Sequence, residues 1–292
     1  MLNFLLEKRG VKSKNILLLC VFFMVACEQV ENKKTVVEPE QKQVEPQPFL
    51  AKPEKNNTSN KESEVVTMPP ASAYEQQDVL GWKVMVSPNV KSNPQLYEPI
   101  FVQLKVDLAK VHSVVPVEAV KDLQKTTIWL EQGMPKKQLN TTFFNGGRAL
   151  TKKHGLVPES YGGVIIGNTK GYLRVAGIKP WQMLHELTHA FHQFELKHDY
   201  QPVKYAYNEA MNDKRFHPKG DKRIPRKAYA TKNQKEYLSE LTVMYFGEKR
   251  VYPRNRDELA EHDPIGYCAI VQAWGLVDNQ QGDVPLYCNS AK

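Results

Sequence analysis

Apolar residues are distributed unevenly along the chain. Over residues 28–71 (EQVENKKTVVEPEQKQVEPQPFLAKPEKNNTSNKESEVVTMPPA) short apolar clusters are isolated among Glu, Gln, Lys, Asn and Pro, and Phe49 is the single aromatic. Such a stretch cannot bury enough surface to offset the entropy of ordering it, so residues 27–72 are expected to form a flexible tether. Beyond it the pattern changes. GWKVMVS (81–87) alternates as a strand does, and NPQLYEPIFVQLKVDLAKVHSVV (93–115) places Leu96, Ile100, Leu104 and Leu108 on one side of a helix. VEAVKDLQK (117–125) predicts a short helix and TTIWLEQ (126–132) a strand. GGVIIGN (162–168), an apolar run between glycines, predicts a buried strand. After it the spacing is helical over residues 180–196, 203–213, 234–247 and 264–274. A small mixed sheet feeding into helices is an α+β fold, and residues 73–292 suffice for one such domain.

The start of the chain has a different character. In EKRGVKSKNILLLCVFFMVAC, Lys8, Arg9, Lys12 and Lys14 precede an apolar run over residues 16–26. That run is short for a bilayer span and follows the charge order of a secretory signal. It ends in MVAC (24–27), which resembles the bacterial lipobox, with Met24 where Leu is usual. The resemblance implies a signal peptide over residues 1–26 and Cys27 as the lipidated first residue of the mature protein. The chain is then expected to be exported and held at the bacterial envelope, on the outer membrane or cell surface, by a lipid anchor in the membrane. A plain cleaved signal and an uncleaved N-terminal anchor are the alternatives.

Composition adds less. The chain is 41% hydrophobic and 25% charged, ordinary for a soluble globular protein. Of the formal +8, residues 1–26 carry +3 (four basic residues minus Glu7), leaving about +5. The basic residues are scattered apart from a modest cluster at HPKGDKRIPRK (217–227), without interleaved aromatics or a recognised module, so nucleic acid is not an expected partner. Cys20 and Cys27 belong to the export segment. Cys268 and Cys288 form an even pair in an exported chain, which reads as a disulfide.

The candidate chemistry lies in WQMLHELTHAFHQFEL (181–196), which contains HExxH. His185 and His189 are four apart, about one helical turn, and can share one metal ion. Glu186 is next round the helix, placed to act on water rather than to ligate. Trp181, Leu184, Leu187, Phe191 and Phe194 recur on another face and give the helix something to bury. A catalytic zinc needs three protein ligands. His192 lies a further turn along, where a straight helix cannot bring it to the same ion, and reads as a polar residue at the cleft rim. The metzincin pattern is excluded, because His192 stands where that pattern has Gly and Glu195 where it has a third His. The better third ligand is in YATKNQKEYLSELTVMYFG (229–247), where Glu236 and Glu240 are one turn apart and Leu238, Leu241 and Phe246 lie opposite. Without a metal, such acids face solvent.

HExxH with a downstream ExxxE resembles the gluzincin metallopeptidases. HELTHA (185–190) is similar to the thermolysin helix, and Tyr229, Glu236 and Glu240 have the spacing found in the zinc domain of anthrax lethal factor and its relatives. The resemblance covers roughly residues 180–247. It implies a zincin-like domain in which His185, His189 and Glu236 bind Zn2+. Glu186 is then the general base, Tyr229 a donor to the developing oxyanion, and Glu240 an outer partner orienting a ligand histidine. The chain departs from the family at RFHPKGDKRIPRK (215–227), an insertion-like stretch between the motifs. The expected activity is hydrolysis of a peptide bond in a peptide or protein substrate. A non-catalytic binding lipoprotein on a zincin-like scaffold and a cell-wall amidase are the alternatives.

Overall fold

The computed structural model describes residues 67–134, 141–276 and Cys288, all within one compact unit spanning residues 60–292. The expected signal peptide, Cys27 and most of the tether lie outside the described residues. In chain order the elements are β1 (Glu75–Val79), β2 (Trp82–Val86), α1 (Pro88–Lys91), α2 (Pro94–Val114), α3 (Val117–Gln124), β3 (Ile128–Leu130), β4 (Thr142–Phe144), α4 (Arg148–Lys153), β5 (Val164–Ile166), α5 (Thr169–Ala176), α6 (Gln182–Phe191), α7 (Gln201–Asn212), α8 (Gln234–Phe246), α9 (Arg256–His262) and α10 (Pro264–Ala273). The fold is mixed α/β, with a small sheet and a mostly helical remainder.

The five strands run in the order β1-β2-β3-β5-β4. β2, β3 and β5 are parallel neighbours, while β1 and β4 run antiparallel at the two edges. Leu80 and Gly81, both at positive φ, make the two-residue turn between β1 and β2, the geometry that matches strand twist. Side chains alternate across the sheet. Val84, Val86, Ile128, Leu130, Val164 and Ile166 face the main core, built with α2, α3 and the later helices. Met85, Trp129, Phe143 and Ile165 face a second, smaller core with Met68, Tyr74, Leu156 and Val157. Each fully buried aliphatic of this kind contributes about 1.5–3 kcal/mol. The last residues of the expected tether are therefore packed. Met68 is buried in that second core, and its N–H donates to the Gly155 carbonyl (3.0 Å).

The helical part positions the site. α6 lies beside β4. The helix is shorter than its pattern predicts: it ends at Phe191 and continues as a π-helical turn over His192–Leu196. The wider turn rotates Phe194 off the buried stripe of Leu184 and Leu187, so that it is exposed and packs edge-on to Phe144 and Tyr161. α8 crosses α6 closely: a Cβ on Gly247, just past the end of α8, would sit 2.6 Å from the Trp181 ring. Ten of the thirteen residues of α8 are buried. Its acids therefore do not form a solvent-facing stripe. Cys268 on α10 is disulfide-bonded to Cys288, with Sγ atoms 2.05 Å apart, as the cysteine pair predicts.

Candidate metal centre

α8 is capped by Asn233, whose Oδ1 accepts from the N–H groups of Lys235 and Glu236 (3.0 Å each). The cap fixes the first turn, where a carboxylate is favoured by the helix dipole. Glu236 sits in that turn. Its side chain is directed at α6, which runs past it with His185 and His189 one turn apart.

Three ligand atoms converge there. Glu236 Oε2 lies 3.2 Å from His185 Nε2 and 3.2 Å from His189 Nε2. One donor atom from each residue falls within 4.8 Å of the other two. The imidazole planes stand at 88° with centroids 4.9 Å apart, so the two rings approach the same point from different sides. This His, His, Glu group can hold a metal ion.

The opposite ring nitrogens support that fit. His185 Nδ1 faces Glu240 Oε1 at 3.2 Å, and Glu240 is in turn paired with the Lys249 ammonium. His189 Nδ1 faces Ser239 Oγ at 3.2 Å. The Glu240 carboxylate accepts from His185 Nδ1–H, which leaves His185 Nε2 for a metal, and the Ser239 hydroxyl can accept from His189 Nδ1–H in the same way. Ser239 and Lys249 are outer partners that the sequence reading missed. Ser239 was visible in principle, three residues after Glu236 on the same helix side. Lys249 lies beyond the helix end, and nothing in the spacing brings it back to Glu240.

Without a metal, this arrangement is a proton store. Burial pushes the His185 imidazole down, but hydrogen bonds to Glu236 and Glu240 outweigh it and raise the group to about 10. Burial alone would raise Glu236; the two histidines and Lys232 instead hold it well below the usual carboxylate range. Glu240 likewise resists burial and is held at about 2 by His185 and Lys249.

Glu186 stays out of the cluster. Its Oε2 accepts from the Phe144 N–H (3.0 Å), and Gln182 Nε2 donates to Oε1 (3.3 Å). Phe144 belongs to the edge strand β4, and its ring stacks over His189 (centroids 6.3 Å). β4 in turn is steadied by buried Asn145, whose amide donates to Thr151 and Ser160 (3.0 Å each). Neither β4 nor its contact to Glu186 was predicted, because TFF between polar residues is too short to show a period.

Tyr229 is delivered to the same place. The insertion-like segment is anchored by buried Phe216 and Ile224 and by Arg215, which pairs with Asp263 (2.7 Å). Tyr229 follows it, 41% exposed, with its ring 5.9 Å from that of His185. His192 departs from expectation. It is fully buried rather than at the cleft rim, and neither ring nitrogen has a partner among the described residues. Burial, together with nearby His198, His189 and Lys235, lowers it to about 4, so it is neutral near pH 7. A cavity of about 270 Å3 lined by Thr126, Tyr161, Gly162, Phe191 and Phe194 lies beyond the end of α6 and includes none of the three ligands.

The outer partners make unequal predictions. Replacing Glu240 by Ala removes a carboxylate and leaves Lys249 without its pair, and is expected to weaken metal binding about 100-fold. Ser239→Ala removes one neutral hydroxyl and is expected to cost about tenfold. Competition against a chromophoric chelator measures both. Equal losses, or none, would disprove the assigned roles. In comparisons with known proteins, no family model, no characterised protein and no solved structure matches this chain.

Proposed function

We propose that this protein is an exported zinc metallopeptidase with a zincin-like fold, tethered to a bacterial envelope through a lipid on Cys27. The carrying observation is the convergence of His185 Nε2, His189 Nε2 and Glu236 Oε2, with Glu186 held separately beside them. Two imidazoles and one carboxylate suit zinc. His185, His189 and Glu236 would hold the ion with three side chains and leave a position for a non-protein ligand, the pattern of catalytic rather than structural sites. Among the described residues no helix is long and apolar enough to cross a membrane.

When bound, zinc supplies a Lewis acid that polarises a carbonyl and lowers the pKa of water to about 7. The chain's own residues do the rest. Glu186 takes a proton from the attacking water and delivers it to the leaving amine nitrogen. The Phe144 N–H and Gln182 hold its carboxylate in place for both transfers. Tyr229 donates its O–H to the carbonyl oxygen as charge develops there. Phe144 of the edge strand β4 stacks over His189, so an extended peptide that crosses the site passes β4. Phe144, Tyr161 and Phe194 offer aromatic surface for its side chains.

The test is hydrolysis of a pool of quenched-fluorescent peptides by the full-length protein. Cleavage is expected to stop on removing metal with a chelator and to return with stoichiometric Zn2+. Zinc binding without cleavage of any peptide would favour the binding-lipoprotein alternative, and cleavage that survives chelation would exclude the proposed mechanism.

A further inference from the structure

Lys232 is the residue between the Tyr229 turn and the Asn233 cap, and neither the motif nor the proposed mechanism uses it. Its ammonium lies 2.9 Å from Glu236 Oε1 and 3.1 Å from the Tyr229 hydroxyl. It also stands 4.7 Å above the Tyr229 ring. The side chain is about half exposed, whereas that of Glu236 is nearly buried. An ordinary Lys–Glu pair on a helix surface, four residues apart, has little consequence. Here the two groups it touches are the candidate third ligand and the candidate oxyanion donor.

An ammonium has three donors and no acceptor. Donating to Glu236 Oε1 occupies one oxygen of that carboxylate. It leaves Oε2, the oxygen 3.2 Å from both histidine Nε2 atoms. Donating to the Tyr229 oxygen makes that oxygen an acceptor, so the phenol's own proton has to point elsewhere. The Tyr229 ring itself lies beside that of His185, with centroids 5.9 Å apart. We propose that Lys232 is a positioning residue that holds Glu236 as a one-oxygen metal ligand and turns the Tyr229 proton into the cleft. The inference rests on the metallopeptidase reading and extends it to a residue outside the HExxH and ExxxE motifs.

A cation this close to a metal ligand also repels the metal. A lysine that acted only through its charge would, when removed, leave the coordination geometry unchanged and tighten metal binding. A lysine that positions two groups would, when removed, let the second carboxylate oxygen reach the ion. That difference decides the matter.

The experiment uses full-length protein loaded with Co2+, whose visible absorption is intense when four-coordinate and weakens as ligands are added. Lys232→Met is expected to lose most of that intensity, and Lys232→Arg, which keeps the donors, to retain it. On the peptide pool, Lys232→Met is expected to lower kcat about tenfold with KM within about twofold. The loss is expected to be much smaller when Tyr229 is already Phe, because the two act as a unit. A Lys232→Met spectrum that overlays the wild type, or an additive cycle with Tyr229→Phe, overturns the inference and leaves the metal site standing. A wild-type protein that takes up no Co2+ overturns the metal reading, and this inference falls with it.

Discussion

Glu186→Gln is expected to abolish peptide hydrolysis while leaving the metal in place. The substitution is nearly isosteric, and the new amide oxygen can still accept from the Phe144 N–H that now holds Glu186 Oε2 at 3.0 Å. The helix, the edge strand and the three ligands therefore stay where they are. What is lost is basicity, since an amide cannot take a proton from water or return it to the leaving nitrogen. General acid–base groups contribute about 10²–10⁴-fold, and here one group serves both transfers. A fall in kcat of about 10³-fold or more is expected, with Zn2+ affinity within about twofold of wild type. Steady-state kinetics and a metal titration on the same sample check both halves. Residual activity above about a tenth of wild type would show that another group carries the proton, and loss of zinc would place Glu186 among the ligands.

The place of Glu186 beside the two histidines is legible in the sequence because its geometry is local. Positions 185, 186 and 189 share one helix, whose pitch fixes their relative directions before any tertiary structure is known. The same holds for Glu236 and Glu240 on α8. The apolar periods that predicted α2, α3, α7, α8 and α10 are local in the same sense, and these helices stand within a few residues of their expected bounds. What the spacing could not carry is what lies between elements. β1, with sequence EQQDV, is a polar edge strand in which only Val79 is buried, so it offers no apolar alternation. β4 is three residues long, yet it supplies the N–H that steadies Glu186. The π-helical turn after Phe191 came from no visible breaker; it moved Phe194 outward and accompanies the full burial of His192. Lys249 reaches Glu240 from beyond the end of α8, and Ser239 reaches His189 only because α8 crosses α6 as closely as Gly247 allows. The residues that converge were thus written in the helices, and the side chains that contact them from outside were written in the packing of one element on another.

Glu236→Ala is the sharpest test of that packing, because it removes the only one of the three ligands that comes from a second helix. The remaining His185 and His189 cannot complete a three-ligand site. The expected loss of Zn2+ affinity exceeds the roughly 10–100-fold typical of outer partners. It can be read in two independent ways. At free zinc about 100 times its Kd, the wild-type protein gains about 2.7 kcal/mol and its Tm rises by roughly 5–10 °C, a shift expected to vanish in the variant. The second reading is in protons. In the metal-free protein His185 holds a proton up to about pH 10, so zinc binding below that pH must displace it. Protons then compete with the metal, and wild-type affinity should rise about tenfold per pH unit between about pH 6 and 8. Removing Glu236 takes away one of the two carboxylates that raise His185, so the variant's weaker binding should also depend less steeply on pH. A thermal melt of both metal-free proteins separates this from misfolding. If Glu236→Ala binds zinc as tightly as wild type with the same pH slope, the third ligand is elsewhere, and the convergence of α6 and α8 is a buried salt bridge rather than a metal centre.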